Sequence, residues 1–424
     1  MSVSASAQFL LVTIGSAGDV FPYIEIGKEL QSRGHRVTLM TTPLLEDMVR
    51  GRGLDFAPFG DLDQLKSAAN DPAIHGEATG PASFWSRLIA PNLTRIAQYV
   101  TEMPSDGPVF VLAHTFLVPV AALAQGKRDD VTLINPILQP MFIRSDYTRQ
   151  TLGVPKLGHI TFGRWMPAII RRKLMDAGED KMLNAPILPS LNKARTDLNL
   201  PPVGSFFKHI QTAADLYVPL FPEWYTKPAR DWPQPMVQTD FVFYDTPDDQ
   251  QISSELEAFL DGGAPPVVFT AGTGNFQAKR LYNTVIPVLS DLNLRAVFLT
   301  HVRHQLPDDL PDSMIWQAYA PFDKLLPRAR VLVQHGGIGT TAEALRAGVP
   351  QLVTPFGYDQ YDNARRIKEM GAGLSLPVQH LTAIKFAKAM QKLVSGKYPQ
   401  SKDLGSGTTQ GTDRIVSDLL NALS

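Results

Sequence analysis

The chain has 424 residues, enough for two or three domains that each bury a core of their own. Its 40 basic and 41 acidic residues nearly balance, so the charge gives no sign of a nucleic-acid surface. Cysteine is absent, which excludes disulfides, thiolate metal sites and a cysteine nucleophile. The sequence has neither an apolar run of ~20 residues nor the basic start of a signal peptide. We therefore expect a cytoplasmic protein that needs no metal.

The first half of the chain begins with the pattern of a parallel α/β domain. Apolar residues 9–14 predict a strand, and a glycine-rich turn that ends at Asp19 follows. Helical spacing of apolar residues continues from there to Gly34, and a second strand begins directly after it. A strand, a helix and a strand in this order form a right-handed crossover between parallel strands. Two more strands are predicted at residues 108–112 and 131–137.

The second half starts again after a polar, proline-bearing linker at residues 245–252. Apolar runs then alternate with amphipathic stretches, which predicts five or six further strand–helix elements. We therefore predict two facing, doubly wound, Rossmann-like domains with a cleft at the carboxyl ends of their strands. The predicted boundaries are residues 1–243 for the N-terminal domain, 244–411 for the C-terminal domain, and 412–424 for a helix that returns to the first domain.

The most informative stretch follows the apolar residues 331–333. His335 precedes a glycine-rich turn and a helical pattern that starts near Thr340 and stops at Gly348. A helix that begins at such a turn binds anions, because its first N–H groups and its dipole both face the ligand. Glu343 lies about one turn into this helix, where its carboxylate can accept hydrogen bonds from two ribose hydroxyls. The stretch therefore predicts a site for a nucleoside diphosphate.

A second polar pair follows the strand-like residues 351–355. Asp359 and Gln360 offer a carboxylate and an amide, which suit the hydroxyl edge of a sugar. Such a pair also occurs as a cap on a surface helix, and that is the alternative for both residues. Their position after the phosphate-binding pattern favours a nucleotide that carries a sugar.

This stretch resembles the nucleotide-sugar signature of glycosyltransferase family 1, which includes plant UDP-glycosyltransferases, antibiotic glycosyltransferases and sterol glucosyltransferases. The turn from Gly15 to Pro22 is similar to the start of the bacterial and sterol-type branch. Residues 231–235 and 317–321 are similar to the rhamnosyltransferases of rhamnolipid synthesis. The residues in register with the signature are Tyr319, Ala320, Pro321, Phe322, Leu325, Leu326, His335, Gly336, Gly337, Gly339, Thr340, Glu343, Gly348, Val349, Pro350, Pro355, Asp359, Gln360 and Asn363.

The resemblance implies a GT-B fold, inversion at the anomeric carbon of the sugar and no catalytic metal. It implies no cofactor either, because the nucleotide-sugar donor is a substrate. Within the signature, Glu343 would hold the ribose, and Asp359 with Gln360 the sugar hydroxyls. The other implied nucleotide-sugar contacts are His335, Gly337, Gly339 and Thr340 at the diphosphate, Gly272 and Thr273 in a second turn, Tyr319 and Ala320 near the base, and Gly18.

Two positions depart from the family pattern. Tyr319 stands where plant members have tryptophan, so the ring that would stack on the base is smaller. Asp19 stands where many members have a histidine base.

Sugar transfer to a hydroxyl needs a general base near the carboxyl edge of the first sheet. Asp19 lies on the loop after the first strand and is the predicted base, with helix capping as the alternative. His114 ends another strand of the same domain. It either assists or replaces Asp19, or it is a structural histidine at a strand end.

Glu343 also bears on the identity of the nucleotide. A carboxylate that accepts two hydrogen bonds is best satisfied by a ribose with both hydroxyls, and a deoxyribose would cost ~1–3 kcal/mol. This favours UDP-sugars, with glucose as the sugar, over the dTDP-rhamnose that the rhamnosyltransferase resemblance suggests. Trp316 is expected to pack in the core rather than against the nucleotide.

Residues 139–221 follow no regular strand pattern and are rich in aromatic residues, proline and methionine. They predict an apolar pocket for a lipid, carotenoid, sterol or phenolic alcohol as the acceptor. Residues 165–174 join apolar and basic side chains, which suits either a solvated helix end or peripheral contact with the inner face of the membrane. The candidate pocket residues are Trp85, Phe142, Phe162 and Trp165, with packing in the domain core as the alternative.

Two other functional classes were weighed against a transferase. A non-catalytic nucleotide-sugar-binding partner of a transferase would not need Asp19 together with Asp359 and Gln360. An epimerase with the same fold would need several acidic residues near the sugar, which the sequence does not show. The sequence therefore favours a metal-independent hexosyltransferase that acts on a hydrophobic acceptor with a hydroxyl group.

Overall fold

The protein is described by a computed structural model that covers residues 7–69, 80–104, 107–148, 151–154, 158–161, 166–244, 246, 251–272, 278–396, 398 and 411–424. The chain divides into two compact units, each built on one six-stranded parallel sheet. Unit 1 consists of Met1–Lys156, Ile160–Val242 and Gln410–Ser424, and unit 2 of Leu157–His159 and Phe243–Thr409. These two parallel sheets confirm the predicted pair of Rossmann-like domains.

The strands of the first half of the chain are short. They are β1 (Gln8–Val12), β2 (Arg36–Thr41), β3 (Asp55–Pro58), β4 (Val109–Ala113), β5 (Val131–Ile137), β6 (Thr151–Val154), β7 (Gly158–Thr161) and β8 (Leu216–Pro219). Of these, β1, β4 and β8 are apolar runs buried on both faces, as is typical of parallel sheets. The order across the main sheet is β3, β2, β1, β4, β5 and β8, while β6 and β7 pair separately. The order therefore reverses between β1 and β4, where Gln8 pairs with Val109 and Val12 with Ala113.

Helices connect these strands and cover the sheet. They are α1 (Ala17–Ser32), α2 (Glu46–Gly51), α3 (Leu62–Ala69), α4 (Gly80–Phe84), α5 (Arg95–Glu102), α6 (Val118–Ala121), α7 (Ala168–Glu179), α8 (Ala185–Asp197) and α9 (Phe206–Ile210). Pro167 precedes α7 as its N-cap residue, and the helix is limited to the residues after it.

Unit 2 repeats the same design. Its strands are β9 (Val267–Thr270), β10 (Ala296–Leu299), β11 (Met314–Gln317), β12 (Val331–Gln334), β13 (Gln351–Val353) and β14 (Gly373–Ser375). The order across the sheet is β11, β10, β9, β12, β13 and β14, with the reversal between β9 and β12. Successive side chains of a strand enter different cores, since Val267 and Phe269 join one apolar cluster and Val268 joins the other.

The helices of unit 2 are α10 (Ser254–Asp261), α11 (Lys279–Asp291), α12 (Phe322–Leu325), α13 (Ile338–Ala347), α14 (Gln360–Glu369) and α15 (Ala383–Val394). The predicted stop at Gly348 is confirmed, because this residue ends α13 in the left-handed region with φ of +72°.

The last helix, α16 (Thr412–Ala422), belongs to unit 1. Its buried residues Ile415, Val416 and Leu419 line a small apolar cavity together with side chains of α1, β4, β5 and β8. Arg33 at the end of α1 donates to the hydroxyl of Ser417 at 2.9 Å. The helix is thus part of the core of unit 1.

Five strands escaped the sequence analysis. β3 and β14 have four and three residues, too few to show a period, and their ends carry proline, glycine or serine. β6, β7 and β8 lie within residues 139–221, which were expected to follow no regular strand pattern, and that prediction is wrong there. Of these three, β8 joins the main sheet. Its four residues are buried because they pair with β5, a long-range contact that leaves no local signature.

Candidate active site

The predicted catalytic and phosphate-binding residues fall on equivalent places in the two units. In unit 1, Asp19 follows β1 and His114 follows β4, the two strands between which the order reverses. In unit 2, Gly272 follows β9 and His335 follows β12, again on either side of the reversal. Ligands of doubly wound sheets bind at this point, beyond the carboxyl ends of the strands.

The carboxylate of Asp19 is fixed by the start of α1. Its Oδ2 accepts a hydrogen bond from the backbone N–H of Ser16 at 2.9 Å and from the hydroxyl of Ser16 at 3.0 Å. Gly15 has φ of +138°, and a Cβ at this position would overlap Asp19 Oδ2. Only glycine therefore lets the turn bring the carboxylate onto the helix start. Asp19 does cap the helix, but only through Oδ2. Its other oxygen, Oδ1, faces different side chains.

His114 is buried beside Asp19. Its Nε2 lies 3.8 Å from Asp19 Oδ1, and its Nδ1 accepts a hydrogen bond from the N–H of Phe116 at 3.3 Å. Burial lowers the pKa of His114, although the charge of Asp19 acts in the opposite direction, so the ring is neutral at pH 7. A neutral imidazole whose Nδ1 accepts carries its proton on Nε2. The Nε2–H of His114 therefore faces Asp19, but 3.8 Å is too long for a hydrogen bond to Oδ1.

Gln139 completes the surroundings of Asp19, and the sequence analysis did not single it out. Its Nε2 lies 3.4 Å from Asp19 Oδ1, and its Oε1 is buried with no hydrogen-bond partner in the described part of the chain. Gln139 belongs to no local motif. The available signal was its position just after β5, the neighbour of β4, because parallel strands end at the same edge of a sheet.

His335 lies between two glycines. A Cβ on Gly272 would lie 2.6 Å from His335 Cε1, and a Cβ on Gly337 would lie 2.5 Å from His335 Nε2. Only glycine therefore allows both turns to approach the ring so closely. Burial lowers the pKa of His335 to about 4, so the imidazole is neutral at pH 7 and can offer a diphosphate an N–H donor.

α13 begins directly after this turn, with Gly337 as its N-cap residue. The N–H of Thr341 donates to the carbonyl of Gly337 at 2.9 Å, which closes the first helical turn. The N–H groups before Thr341 have no partner within the helix. Gly339 is exposed and Thr340 is half-buried, so this end of the helix is accessible to a ligand. Such an end is an anion site.

Glu343 lies on the next turn of α13, with 13% of its side chain exposed. Its Oε2 forms an ion pair with Arg346 at 2.6 Å. The guanidinium of Arg346 in turn lies 4.2 Å from the centre of the Phe243 ring. Glu343 is thus held as an oriented carboxylate. The sequence analysis missed Arg346, although a basic residue three positions after an acidic one on a helix is a signal for such a pair.

Asp359 and Gln360 stand at the start of α14. Asp359 is the N-cap residue, but its side chain makes no capping hydrogen bond, and its Oδ2 accepts from Asn363 Nδ2 at 2.8 Å. Gln360 Oε1 accepts from the N–H groups of Phe356 and Gly357 at 2.8 and 3.1 Å. Gln360 therefore shapes the loop that leads to Asp359, which we name the sugar loop (residues 356–360).

Tyr319 follows β11 and is 49% exposed, whereas Ala320 is buried. Trp316 packs against the apolar core of unit 2, and its indole N–H donates to the carbonyl of Thr300 at 2.8 Å. The expectation that Trp316 packs in the core is confirmed. Thr273 lies outside the described residues.

Two family models match the chain. Residues 9–81 match the glycosyltransferase family 28 N-terminal domain, and residues 288–406 match the erythromycin biosynthesis protein CIII-like C-terminal domain. The chain is 26% identical to an O-mycaminosyltylonolide 6-deoxyallosyltransferase of Streptomyces fradiae, over 92% of this chain and 90% of that protein. It is also 26% identical to a sterol 3-beta-glucosyltransferase of Debaryomyces hansenii, over 92% of this chain but only 25% of that longer protein.

The chain is a glycosyltransferase with the GT-B fold. It is an enzyme of the hexosyltransferase class. Solved structures show the same fold. A glycosyltransferase of kitacinnamycin aligns over 98% of this chain and 99% of its own, with a TM-score of 0.72 and 18% identity. The glycosyltransferase VinC, solved in complex with dTDP, aligns over 98% of both chains with a TM-score of 0.67 and 18% identity.

In this glycosyltransferase the predicted acceptor residues have different surroundings. Trp85 is 1% exposed, its Nε1 donates to Ser190 Oγ at 2.8 Å, and its ring meets Phe116 and Phe206 edge to face. This burial favours the core alternative for Trp85. Phe142 is half-buried, with its ring 6.3 Å from that of His114.

Phe162 and Trp165 lie outside the described residues. Within the described part of the glycosyltransferase, no group of three or more histidine, aspartate or glutamate side chains is arranged to hold a metal ion. No helix that the structure describes is long and apolar enough to cross a membrane.

Proposed function

We propose that this enzyme transfers glucose from UDP-glucose to a hydroxyl group of a hydrophobic small molecule or lipid, with inversion at the anomeric carbon and without a metal. The observation that carries the proposal is the carboxylate of Asp19, which is held through Oδ2 by Ser16 while Oδ1 lies near two buried donors. An oriented carboxylate at the carboxyl edge of the sheet is suited to take the proton of an acceptor hydroxyl.

The reaction is one displacement. The acceptor oxygen loses its proton to Asp19 Oδ1 and forms a bond to the anomeric carbon, while the bond from that carbon to the diphosphate breaks. The electron pair of the broken bond leaves on the diphosphate as UDP. The charge that develops there would be stabilised by the first N–H groups of α13 and by an N–H of His335. These donors supply the neutralisation that a divalent cation supplies in other enzymes.

Glu343 supports UDP as the nucleotide. Its carboxylate is oriented by Arg346, and a ribose with two vicinal hydroxyls would satisfy it more fully than a deoxyribose. The glucosyl names of the sterol-type relatives support glucose as the sugar.

The second candidate is transfer of rhamnose from dTDP-rhamnose in the synthesis of a glycolipid. It is favoured by the resemblance to the rhamnosyltransferases and by VinC, a structural neighbour solved with dTDP.

A hydrophobic acceptor is supported by the aromatic side chains near His114, the neighbour of Asp19, and by the names of the relatives. The rings of Phe142 and Phe207 stack at 6.4 Å, and Phe142 also lies beside His114. The printed names of the relatives include a sterol and a tylonolide acceptor.

A further apolar surface, on α7, supports a membrane as the place where a lipid acceptor is met. Ile169 is 64% exposed, and Ile170 and Leu174 are about half exposed, with Lys173 between them on the helix. Apolar side chains around a lysine suit peripheral contact with an anionic bilayer.

The proposed function is tested by measuring UDP and dTDP release from a panel of nucleotide-sugars in the presence of hydroxylated lipids, sterols and phenols. Mass spectrometry then identifies the product. We expect release that depends on both UDP-glucose and a hydrophobic alcohol. Turnover with dTDP-rhamnose alone would select the second candidate. Tight donor binding without any turnover across the panel would favour a non-catalytic nucleotide-sugar-binding partner.

A further inference from the structure

A buried side-chain amide in unit 2 connects two turns, one proposed to bind the diphosphate and the other proposed to bind the sugar. Asn363 lies on α14 and is fully buried. Its Nδ2 donates to the carbonyl of Gly336 at 2.8 Å and to Asp359 Oδ2 at 2.8 Å. Gly336 belongs to the turn beside His335, and Asp359 belongs to the sugar loop. A single amide group therefore uses its two hydrogens to hold one residue of each.

The opposite side of Gly336 is held as well. Its N–H donates to Gln334 Oε1 at 2.6 Å, and Gln334 Nε2 donates to Thr341 Oγ1 at 3.0 Å and to Gln351 Oε1 at 2.9 Å. Both peptide groups of Gly336 are thus engaged with buried amides. Buried side chains therefore hold the turn in place. The N–H groups that remain to bind a ligand are those after Gly336.

The sugar loop packs directly on this turn. A Cβ on Gly336 would lie 2.9 Å from the carbonyl oxygen of Gln360, so the two backbones are in close contact. Backbone contact alone fixes a distance, but it does not orient a carboxylate. The hydrogen bond from Asn363 does orient one, because it is charge-assisted and involves one particular oxygen of Asp359.

We propose that Asn363 is a positioning residue that fixes the carboxylate of Asp359 relative to the diphosphate-binding turn. The sugar and the diphosphate of the donor are thereby bound in one fixed position relative to each other. The inference rests on the proposed function, since it requires that this turn binds a diphosphate and that Asp359 binds the sugar. It assigns a role to a buried residue that itself contacts neither the diphosphate nor the sugar.

The test compares the affinity for a nucleoside diphosphate with the affinity for the same nucleotide carrying a sugar. Titration calorimetry gives the ratio of the two dissociation constants for the wild type, with UDP- and dTDP-linked glucose and rhamnose. The nucleotide-sugar that the wild type binds most tightly is then used for the variants. A ratio is chosen because partial unfolding lowers both affinities equally and leaves it unchanged.

Asn363→Leu keeps the number and branching of the side-chain heavy atoms but removes both hydrogen bonds. We expect the ratio to shift by about 10-fold against the sugar-bearing nucleotide, the size expected for losing a hydrogen bond that orients a charged group. In an Asp359→Ala background the same substitution should shift the ratio by less than about 2-fold, because the group that Asn363 orients is gone. Asn363→Ser is measured in parallel, in case the leucine variant does not fold.

Asn192→Leu is the matched control. Asn192 on α8 also makes two side-chain hydrogen bonds, both of them with the backbone of Val203, at 2.9 and 2.8 Å, but it lies in unit 1. It should lower stability and leave the ratio unchanged. If the leucine and serine variants of Asn363 fold and keep the wild-type ratio, Asn363 does not position Asp359, while the proposed function stands. If the wild type binds none of the nucleotides, the proposed function and the inference fall together.

Discussion

At the scale of single residues, the geometry of Asp19 and His114 bears on which of the two is the proposed base. Asp19 Oδ2 is occupied by Ser16, so only Oδ1 is placed to accept the proton of a hydroxyl. His114 has its proton on Nε2, the nitrogen nearest to Oδ1, because Nδ1 is used by the N–H of Phe116. Because this tautomer presents an N–H toward Asp19, the proposed mechanism assigns the base to Asp19 and a supporting role to His114.

We expect Asp19→Asn to lower kcat by at least ~100-fold, because an amide cannot take a proton. His114→Phe should cost less, about 10-fold, since the carboxylate stays. UDP affinity should stay at the wild-type value in both variants. Steady-state kinetics with calorimetry separates the two effects. A His114→Phe loss as large as that of Asp19→Asn would show that the histidine is the base.

His335 gives a pH dependence with a definite sign. In the free protein its pKa is lowered to about 4 by burial, and a bound diphosphate would favour the charged imidazolium and raise that pKa. Binding should then take up protons, and the affinity for UDP-glucose should rise as pH falls from 7 toward 5. UDP-glucose is the probe because its diphosphate does not titrate in this range. Calorimetry in buffers of different ionisation enthalpy measures the uptake.

His335→Ala should bind UDP-glucose more weakly and without this slope. A wild-type affinity that does not change between pH 7 and pH 5 would show that His335 stays neutral against the diphosphate. Unchanged affinity in the alanine variant would remove His335 from the site.

At the scale of elements, the proposed function places both donor-binding roles on the single helix α13. Its first N–H groups would bind the diphosphate, and Glu343, one turn later, would lie near the ribose attached to it. The distance between these N–H groups and Glu343 is set by the rise of the helix rather than by a loop.

Glu343→Leu tests this geometry. The wild type should bind UDP at least ~10-fold more tightly than 2'-deoxy-UDP, because the second hydroxyl satisfies the carboxylate. The leucine variant should lose most of this preference through weaker binding of UDP. Competition binding with UDP, 2'-deoxy-UDP and dTDP separates the hydroxyl from the base methyl. Equal wild-type affinities for UDP and 2'-deoxy-UDP would shift the assignment to dTDP-sugars.

The sequence was sufficient wherever an element or a contact is local. The strand at β11, the helix start after His335 and the stop at Gly348 all lie within a few residues of their signals. Asp19 and Ser16 are three residues apart, the spacing of a capping box, so their contact was available too. Gln139 lies 120 residues from Asp19, and only the formed sheet brings the two together.

At the scale of the whole molecule, unit 1 is discontinuous along the chain. It includes α16, which follows the whole of Phe243–Thr409. The buried face of α16 is made by Ile415, Val416 and Leu419, while Asn421 on the other side is exposed. Three buried aliphatic side chains make this helix a substantial part of the core of unit 1.

Leu419→Ala should lower the free energy of unfolding by about 2–5 kcal/mol, because it leaves a cavity in an apolar environment. Asn421→Ala, on the exposed face of the same helix, should change it by less than about 0.5 kcal/mol. Urea unfolding followed by circular dichroism measures both. Equal, small effects would mean that α16 does not pack in the core of unit 1 in solution.

Because unit 1 is discontinuous along the chain, its parts leave the ribosome at different times. Unit 2 emerges as one nearly uninterrupted stretch and can form its sheet as soon as that stretch is out of the tunnel. Unit 1 must wait with an uncovered apolar face until α16 has been synthesised, although its first strands were made long before. During that interval the nascent chain would carry a complete unit 2 and a unit 1 whose apolar face still lacks α16, and unit 1 is the one that a chaperone would protect.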